Sequence, residues 1–134
     1  TYVRYLDRFQ LPRKKKIGDF SKGMKMKLQI ACALSHEAEL LVMDEPTSGL
    51  NELDIDRFES ILLSLQKNGD TIIIVEHNVE FISKISDYII DFGTVGGDAG
   101  GRVTCQGMPQ DVFYCKESSL YCQDFMEGEA THNV

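Results

Sequence analysis

The chain has 134 residues, 43% of them hydrophobic and 26% charged, with a formal net charge of -7. That length allows one domain or part of one, and the ordinary apolar content excludes a wholly disordered chain. No apolar run reaches the ~18–20 residues that a bilayer-crossing helix needs, so any membrane role would have to come through a partner. The charge is uneven. Residues 1–27 hold nine Lys/Arg against two Asp/Glu, and the remainder holds five against nineteen. The basic end suits phosphates, an acidic partner or simply a solvated helix face, and the acidic remainder argues against a nucleic-acid platform over the whole surface.

In chain order, Tyr2, Tyr5, Leu6 and Phe9 fall on one stripe and predict an amphipathic helix over 1–10 whose aromatics belong to a core. Pro12 ends it, and Arg13–Lys16 is a short basic loop. Phe20-Ser21-Lys22-Gly23-Met24 then opens a predicted helix running to Leu34, with Met24, Leu28, Ala31 and Ser35 on one side. Ser21 suits an N-cap, and Gly23 would let the backbone come close to a ligand. Free N–H groups and the positive dipole end at such a start suit a phosphate, although Ser and Gly also precede many helices for capping reasons alone.

Leu40 to Met43 is a continuous apolar run, the pattern of a strand buried on both faces of a parallel sheet. It ends in Asp44 and Glu45, and Pro46 stops it. In open α/β sheets ligand chemistry gathers at the carboxyl ends of strands, where one acid can hold Mg²⁺ and the next can orient or deprotonate a water. Taken alone, the run reads equally well as a strand followed by a polar turn. Leu53, Ile55, Phe58, Ile61, Leu62 and Leu65 predict a helix from about Asn51 to Gln66, closed by Gly69 in the C′ position. Thr71–Val75 is β-branched and continuous, a second buried parallel strand that delivers Glu76, His77 and Asn78. A helix over Val79–Ser86 and a strand over Asp87–Phe92 follow.

Taken together, Phe20–Met24, the helix after it, Asp44-Glu45 and Ser48-Gly49-Leu50 resemble the nucleotide-binding domain of ABC ATPases, in the order signature motif, helix, Walker B and D-loop. The family signature Leu-Ser-Gly-Gly-Gln stands here as Phe20-Ser21-Lys22-Gly23-Met24, with Ser21 and Gly23 kept. The D-loop's usual Asp is Asn51, which removes a charge at the subunit contact. The resemblance implies that Asp44 holds Mg²⁺, that Glu45 activates water and that His77 is the switch histidine reading the γ-phosphate of ATP. It also implies that Ser21, Gly23, Ser48 and Asn51 serve the nucleotide or the facing subunit.

The rear of the chain carries a second likeness. Asp91-Phe92-Gly93, the glycine-rich stretch from Gly96 to Arg102 and Gln106-Gly107-Met108-Pro109 resemble the bacterial excinuclease A family of DNA-damage-recognition ABC ATPases. Glu76-His77-Asn78 fits that family too. The front looks more like a transporter ATPase, so the chain reads either as a chimera or as one divergent family. The glycines around Asp98 make a turn between strands rather than a phosphate cradle, because no Lys-Ser/Thr follows at P-loop spacing. No Gly-x-x-x-x-Gly-Lys-Ser/Thr occurs anywhere, so the resemblance implies that ATP and Mg²⁺ are used only with a P-loop-bearing half or a second nucleotide-binding domain. A homodimer would still lack the main phosphate clamp.

The fold expected is α/β, a partial P-loop NTPase-like parallel sheet with strands near 40–44, 71–75 and 87–92, helices packed on it, and a small β-rich turn at 102–107. Residues 1–35 are expected to form an ABC helical-subdomain segment and 36–113 the α/β core. Residues 114–134 are expected to fray after a short helix. Cys32, Cys105, Cys115 and Cys122 form no Cys-x-x-Cys pair and have no His at metal spacing, which argues against zinc. With no signal peptide and motifs of intracellular type, reduced thiols and a cytoplasmic setting are expected. DNA is a weaker partner expectation, resting on the rear likeness and the basic first quarter. The alternative to a catalytic half is a folding or assembly module that keeps the architecture without the reaction.

Overall fold

A computed structural model of the chain describes residues 2–93 and 100–121. The chain divides into two compact units, Thr1–Ile85 and Ser86–Val134. In the first, α1 (Tyr2–Arg8), a 3-10 turn (Ile17–Asp19) and α2 (Lys22–Leu34) precede β1 (Leu40–Asp44), α3 (Glu52–Lys67), β2 (Thr71–Val75) and α4 (Val79–Ile85). The helix starts and stops follow local chemistry. Ser21 caps α2 by accepting the Met24 N–H at 3.2 Å, and Asn51 caps α3 by accepting the Asp54 N–H at 2.8 Å. Gly69, at φ 92°, sits just past the Asn68 C-cap and lets the chain turn back into β2.

β1 and β2 pair in parallel, with Val42 beside Ile73 and Asp44 beside Val75. One face of this two-stranded sheet carries Leu41 and Met43 into a core shared with Phe9, Ile30, Ala31, Leu34, Phe58, Ile61, Leu62 and Phe81. Phe58 of α3 and Phe81 of α4 stack with ring centroids 5.7 Å apart. The other face corrects the expectation of burial on both sides: Leu40, Val42, Ile73 and Val75 are all at least half exposed. With two strands and helices on one side only, alternate side chains point to water. On α2 the buried positions are Ile30, Ala31 and Leu34, while Met24 and Leu28 pack at the margin.

In the second unit, β3 (Ile89–Phe92) and β4 (Val103–Gly107) pair antiparallel, and α5 (Pro109–Phe113) follows. The strand expected at 87–92 is therefore β3, begins two residues later and belongs to a separate hairpin-like sheet rather than to the parallel one. Its partner β4 accounts for the expected β-rich turn at 102–107. Pro109 supplies the first turn of α5, where its missing N–H costs nothing. Among the described residues, 114–121 carry no helix, and the short helix seen here is α5. The glycine-rich stretch at 94–99 and the tail from 122 lie outside the described residues. Asp91 organises this unit from within, accepting bonds from Ser118 Oγ (2.8 Å), Ser119 N (2.8 Å), Ser119 Oγ (2.9 Å) and Thr104 Oγ1 (3.1 Å).

The expectation of reduced thiols throughout is also corrected. Cys105 on β4 and Cys115 just after α5 form a disulfide, their Cα atoms 6.5 Å apart, while Cys32 is free and exposed. The pair is ten residues apart and closes because α5 folds back along β4. Sequence spacing alone gives no sign of that return. Among the described residues no helix is long and apolar enough to cross a membrane.

Candidate functional site

The carboxyl ends of β1 and β2 lie side by side because the two strands are parallel and in register. Asp44 is opposite Val75, so the residues that follow each strand emerge at one edge of the sheet. The Glu45 N–H extends the ladder by one bond, donating to the Val75 carbonyl at 2.8 Å. Glu45 then takes a left-handed backbone, φ 45°, which turns the chain sharply into buried Pro46. That conformation is uncommon for a side chain of this size and breaks the strand where its carboxylate is presented.

Three of the expected residues meet here. Asp44 and Glu45 are exposed at the end of β1, and His77 Nδ1 lies 3.5 Å from Glu45 Oε1. Both side chains of that pair are more than half exposed, so it contributes little as an ion pair. Its value is geometric, since a carboxylate and an imidazole share one open edge with Asp44 beside them. The oxygen donors of Asp44 and Glu45 match what a hard divalent cation prefers. Among the described residues Asp44 has no ion-pair partner, so its carboxylate is open to a cation.

Ser21 and Gly23 open α2 where it packs on the loop that carries Ser48, the contact itself being made by Gly49. The first turn of α2 packs against the 47–50 loop so closely that a β-carbon on Gly23 would overlap the Gly49 carbonyl oxygen. Gly49 itself has φ 76° and faces the Lys22 side chain. The close backbone approach that Gly23 permits is thus filled by the chain's own loop. The Ser21 hydroxyl accepts the Met24 N–H, and Asn51 is committed through its carbonyl oxygen to capping α3. The loop from Glu45 to Asn51 links the strand-end residues to this contact covalently.

Glu76 is a residue that sequence reasoning noticed but assigned no role. One of its oxygens accepts the Thr47 N–H at 2.9 Å and also the Thr47 hydroxyl. The other accepts the N–H groups of His77 (2.9 Å) and Asn78 (3.1 Å). Burial alone would push the Glu76 carboxyl up, but these bonds outweigh it and hold it below the usual carboxylate range. Asn78 in turn caps α4, its Oδ1 accepting the Phe81 N–H at 3.1 Å. The available signal was a carboxylate directly after a β-branched strand, level with Glu45 on the neighbouring one.

Deeper in the unit, Asp54 of α3 bonds Lys27 Nζ of α2 at 3.0 Å and Arg57 Nη1 at 3.3 Å, tying the helix that starts at Ser21 to the helix that starts after Asn51.

The ABC transporter family matches residues 3–48. UvrABC system protein A of Staphylococcus aureus (strain COL) is 40% identical over 114 residues, covering 81% of this chain and 12% of that protein. The chain therefore spans about an eighth of the length of that relative. Among solved structures, UvrA2 from Deinococcus radiodurans overlays with TM-score 0.72 and 25% identity, over 89% of this chain and 15% of that one. The ATP-binding subunit of an ABC transporter overlays with TM-score 0.70 and 26% identity, over 97% of this chain and 54% of that one. The fold and these likenesses support an ABC-type ATPase domain that resembles both UvrA and the transporter ATPases.

Proposed function

We propose that the chain contributes the water-activating half of an ABC ATPase site and hydrolyses ATP when a P-loop-bearing segment completes it. The observation that carries this is the edge where parallel β1 and β2 end together, with Asp44, Glu45 and His77 side by side. Asp44 holds Mg²⁺, which when bound neutralises the phosphate charge. Glu45 accepts a proton from the attacking water, its carboxylate exposed at the left-handed turn that follows β1. His77 donates to the γ-phosphate. Ser21 and Gly23 face a nucleotide held by a second nucleotide-binding domain, or by a second copy of this chain joined to a P-loop. Ser48 and Asn51 stand at that subunit contact.

The sequence has no Gly-x-x-x-x-Gly-Lys-Ser/Thr, so nothing in it grips the β- and γ-phosphates, and the chain alone is inactive on this reading. The likeness to UvrA runs through both front and rear, which favours a DNA-repair conformational cycle over transport and one divergent family over a chimera. The setting is then cytoplasmic, with a membrane reached only through a partner and DNA through the rest of the assembly. The test is complementation. Mg²⁺-dependent ATP hydrolysis on adding a P-loop-bearing fragment, and none with either piece alone, supports this function. No activity despite a formed complex leaves the non-catalytic assembly module.

A further inference from the structure

We infer that Glu76 is a positioning residue, a carboxylate clasp that holds the Glu45 turn and the His77 turn as one unit. The inference rests on the proposed function for its consequence but not for its geometry. A glutamate at the edge of a nucleotide site would ordinarily be a candidate ligand or base. Here its two oxygens accept four protein donors: the Thr47 N–H and hydroxyl on one, the His77 and Asn78 N–H groups on the other. A carboxylate so occupied has little capacity left for a cation or a water proton. What it does instead is join residues 29 positions apart. Thr47 is two residues past Glu45, and His77 is the next residue after the clasp itself.

This arrangement answers a question the exposed pair raises. His77 and Glu45 are 79% and 54% exposed, so their own contact is too weak to fix either side chain. The two turns carrying them leave separate strands, and beyond the Glu45–Val75 ladder bond no other hydrogen bond among the described residues joins the turns. Glu76 is part-buried between them and supplies charge-assisted bonds, which are shorter and stronger than neutral ones. The Thr47 loop continues to Gly49, which packs on Gly23. The clasp therefore also fixes one end of the loop against which the start of α2 sits.

The experiment uses Glu76→Gln and Thr47→Val in the full chain. Gln keeps the size and can still accept from Thr47 through its carbonyl, but its amide nitrogen cannot accept from His77 and Asn78. Val removes only the hydroxyl bond and guards against a Glu76 variant that fails to fold. Nuclear magnetic resonance of the chain alone reads the geometry. The expected result is faster amide exchange at His77 and Asn78 in Glu76→Gln, with loss of the nuclear Overhauser contact between the His77 ring and the Glu45 side chain. Thr47→Val shows a smaller weakening of that contact. In the complemented assembly, Glu76→Gln lowers kcat on the order of tenfold to a hundredfold with KM for ATP unchanged, the split expected of lost positioning rather than lost binding. Persistence of the contact and of amide protection in Glu76→Gln overturns the inference, as does a variant in which KM rises and kcat does not move. If wild-type complementation gives no turnover, the proposed function fails while the resonance measurements still decide the clasp.

Discussion

At the scale of single residues, the site combines groups that must be where they are for different reasons. Gly23 is a packing requirement: any side chain there meets backbone, not a flexible tip that could swing away. Gly23→Ala is therefore expected to cost about 1–3 kcal/mol in urea unfolding, the usual range for overpacking, and to displace the 47–50 loop. Ser21→Ala, which removes only a cap, should cost about 1 kcal/mol and leave that loop in place. In the proposed function Glu45 is a chemical requirement. Its carboxylate is exposed, and its backbone N–H, not its side chain, completes the ladder to Val75. Glu45→Gln should leave the melting temperature of the chain unchanged and abolish ATP turnover in the complemented assembly, measured as phosphate release. Turnover that survives Glu45→Gln would remove Glu45 from the role proposed for it.

Between elements, charge does the joining that apolar packing leaves undone. Asp54 is buried, with 6% of its side chain exposed, and holds Lys27 of α2 and Arg57 of its own helix. Asp54→Asn leaves both cations without their partner. A loss of about 2 kcal/mol is expected, below the ~3–5 for a fully buried pair because Lys27 and Arg57 keep some contact with water. Glu76 and Asp91 extend the same logic to pH. Burial raises each, but hydrogen bonds from Thr47, Asn78 and His77 in one case and from Ser118, Ser119 and Thr104 in the other hold both below the usual carboxylate range. A depressed folded-state value means stability present above the unfolded carboxylate range and lost as pH falls toward the folded value. Acid titration followed by circular dichroism should show a loss of stability beginning near ~4, the unfolded carboxylate range, and Glu76→Gln should flatten it. Glu59 has the opposite sign: burial raises it, with Lys84 3.7 Å away offsetting part. The elements themselves were legible in the sequence. The β-branched run at 71–75 and the apolar run at 40–44 fix two strands, and Ser21, Asn51 and Gly69 mark helix ends. The parallel pairing of β1 with β2 was expected as well, but the open face of their sheet and the antiparallel partner of β3 were not legible. A continuous apolar run has no period from which an open face can be read, and the partner of β3 lies beyond a glycine-rich stretch whose spacing says nothing of direction. Asp44, Glu45 and His77 were singled out because they follow strand ends; Glu76 was passed over because its partner Thr47 is near only once β1 and β2 are in register.

Over the molecule as a whole, the open face of the parallel sheet in the first unit controls behaviour in solution. Leu40, Val42, Ile73 and Val75 lie 50–65% exposed on one side of two paired strands, an apolar surface framed by Asp44 at one end and Thr71 at the other. Contiguous apolar surface of this kind favours association, and a two-stranded sheet also leaves backbone groups unpaired along its outer edges. Light scattering of the purified chain should therefore show a mean mass that rises with concentration. Val42→Thr combined with Ile73→Thr keeps the β-branched shape while adding two hydroxyls to that face, and should return the chain toward monomer without loss of helix signal. Repeating the measurement with Mg-ATP separates two origins of the association. Mass that follows concentration alone reflects the apolar face. A dimer that forms only with nucleotide, persists in the Thr variants and is lost in Asp44→Asn would mean that the strand-end acids still sense phosphate without a P-loop. That outcome would move the site from a half waiting for completion to one that recruits its own partner through the nucleotide.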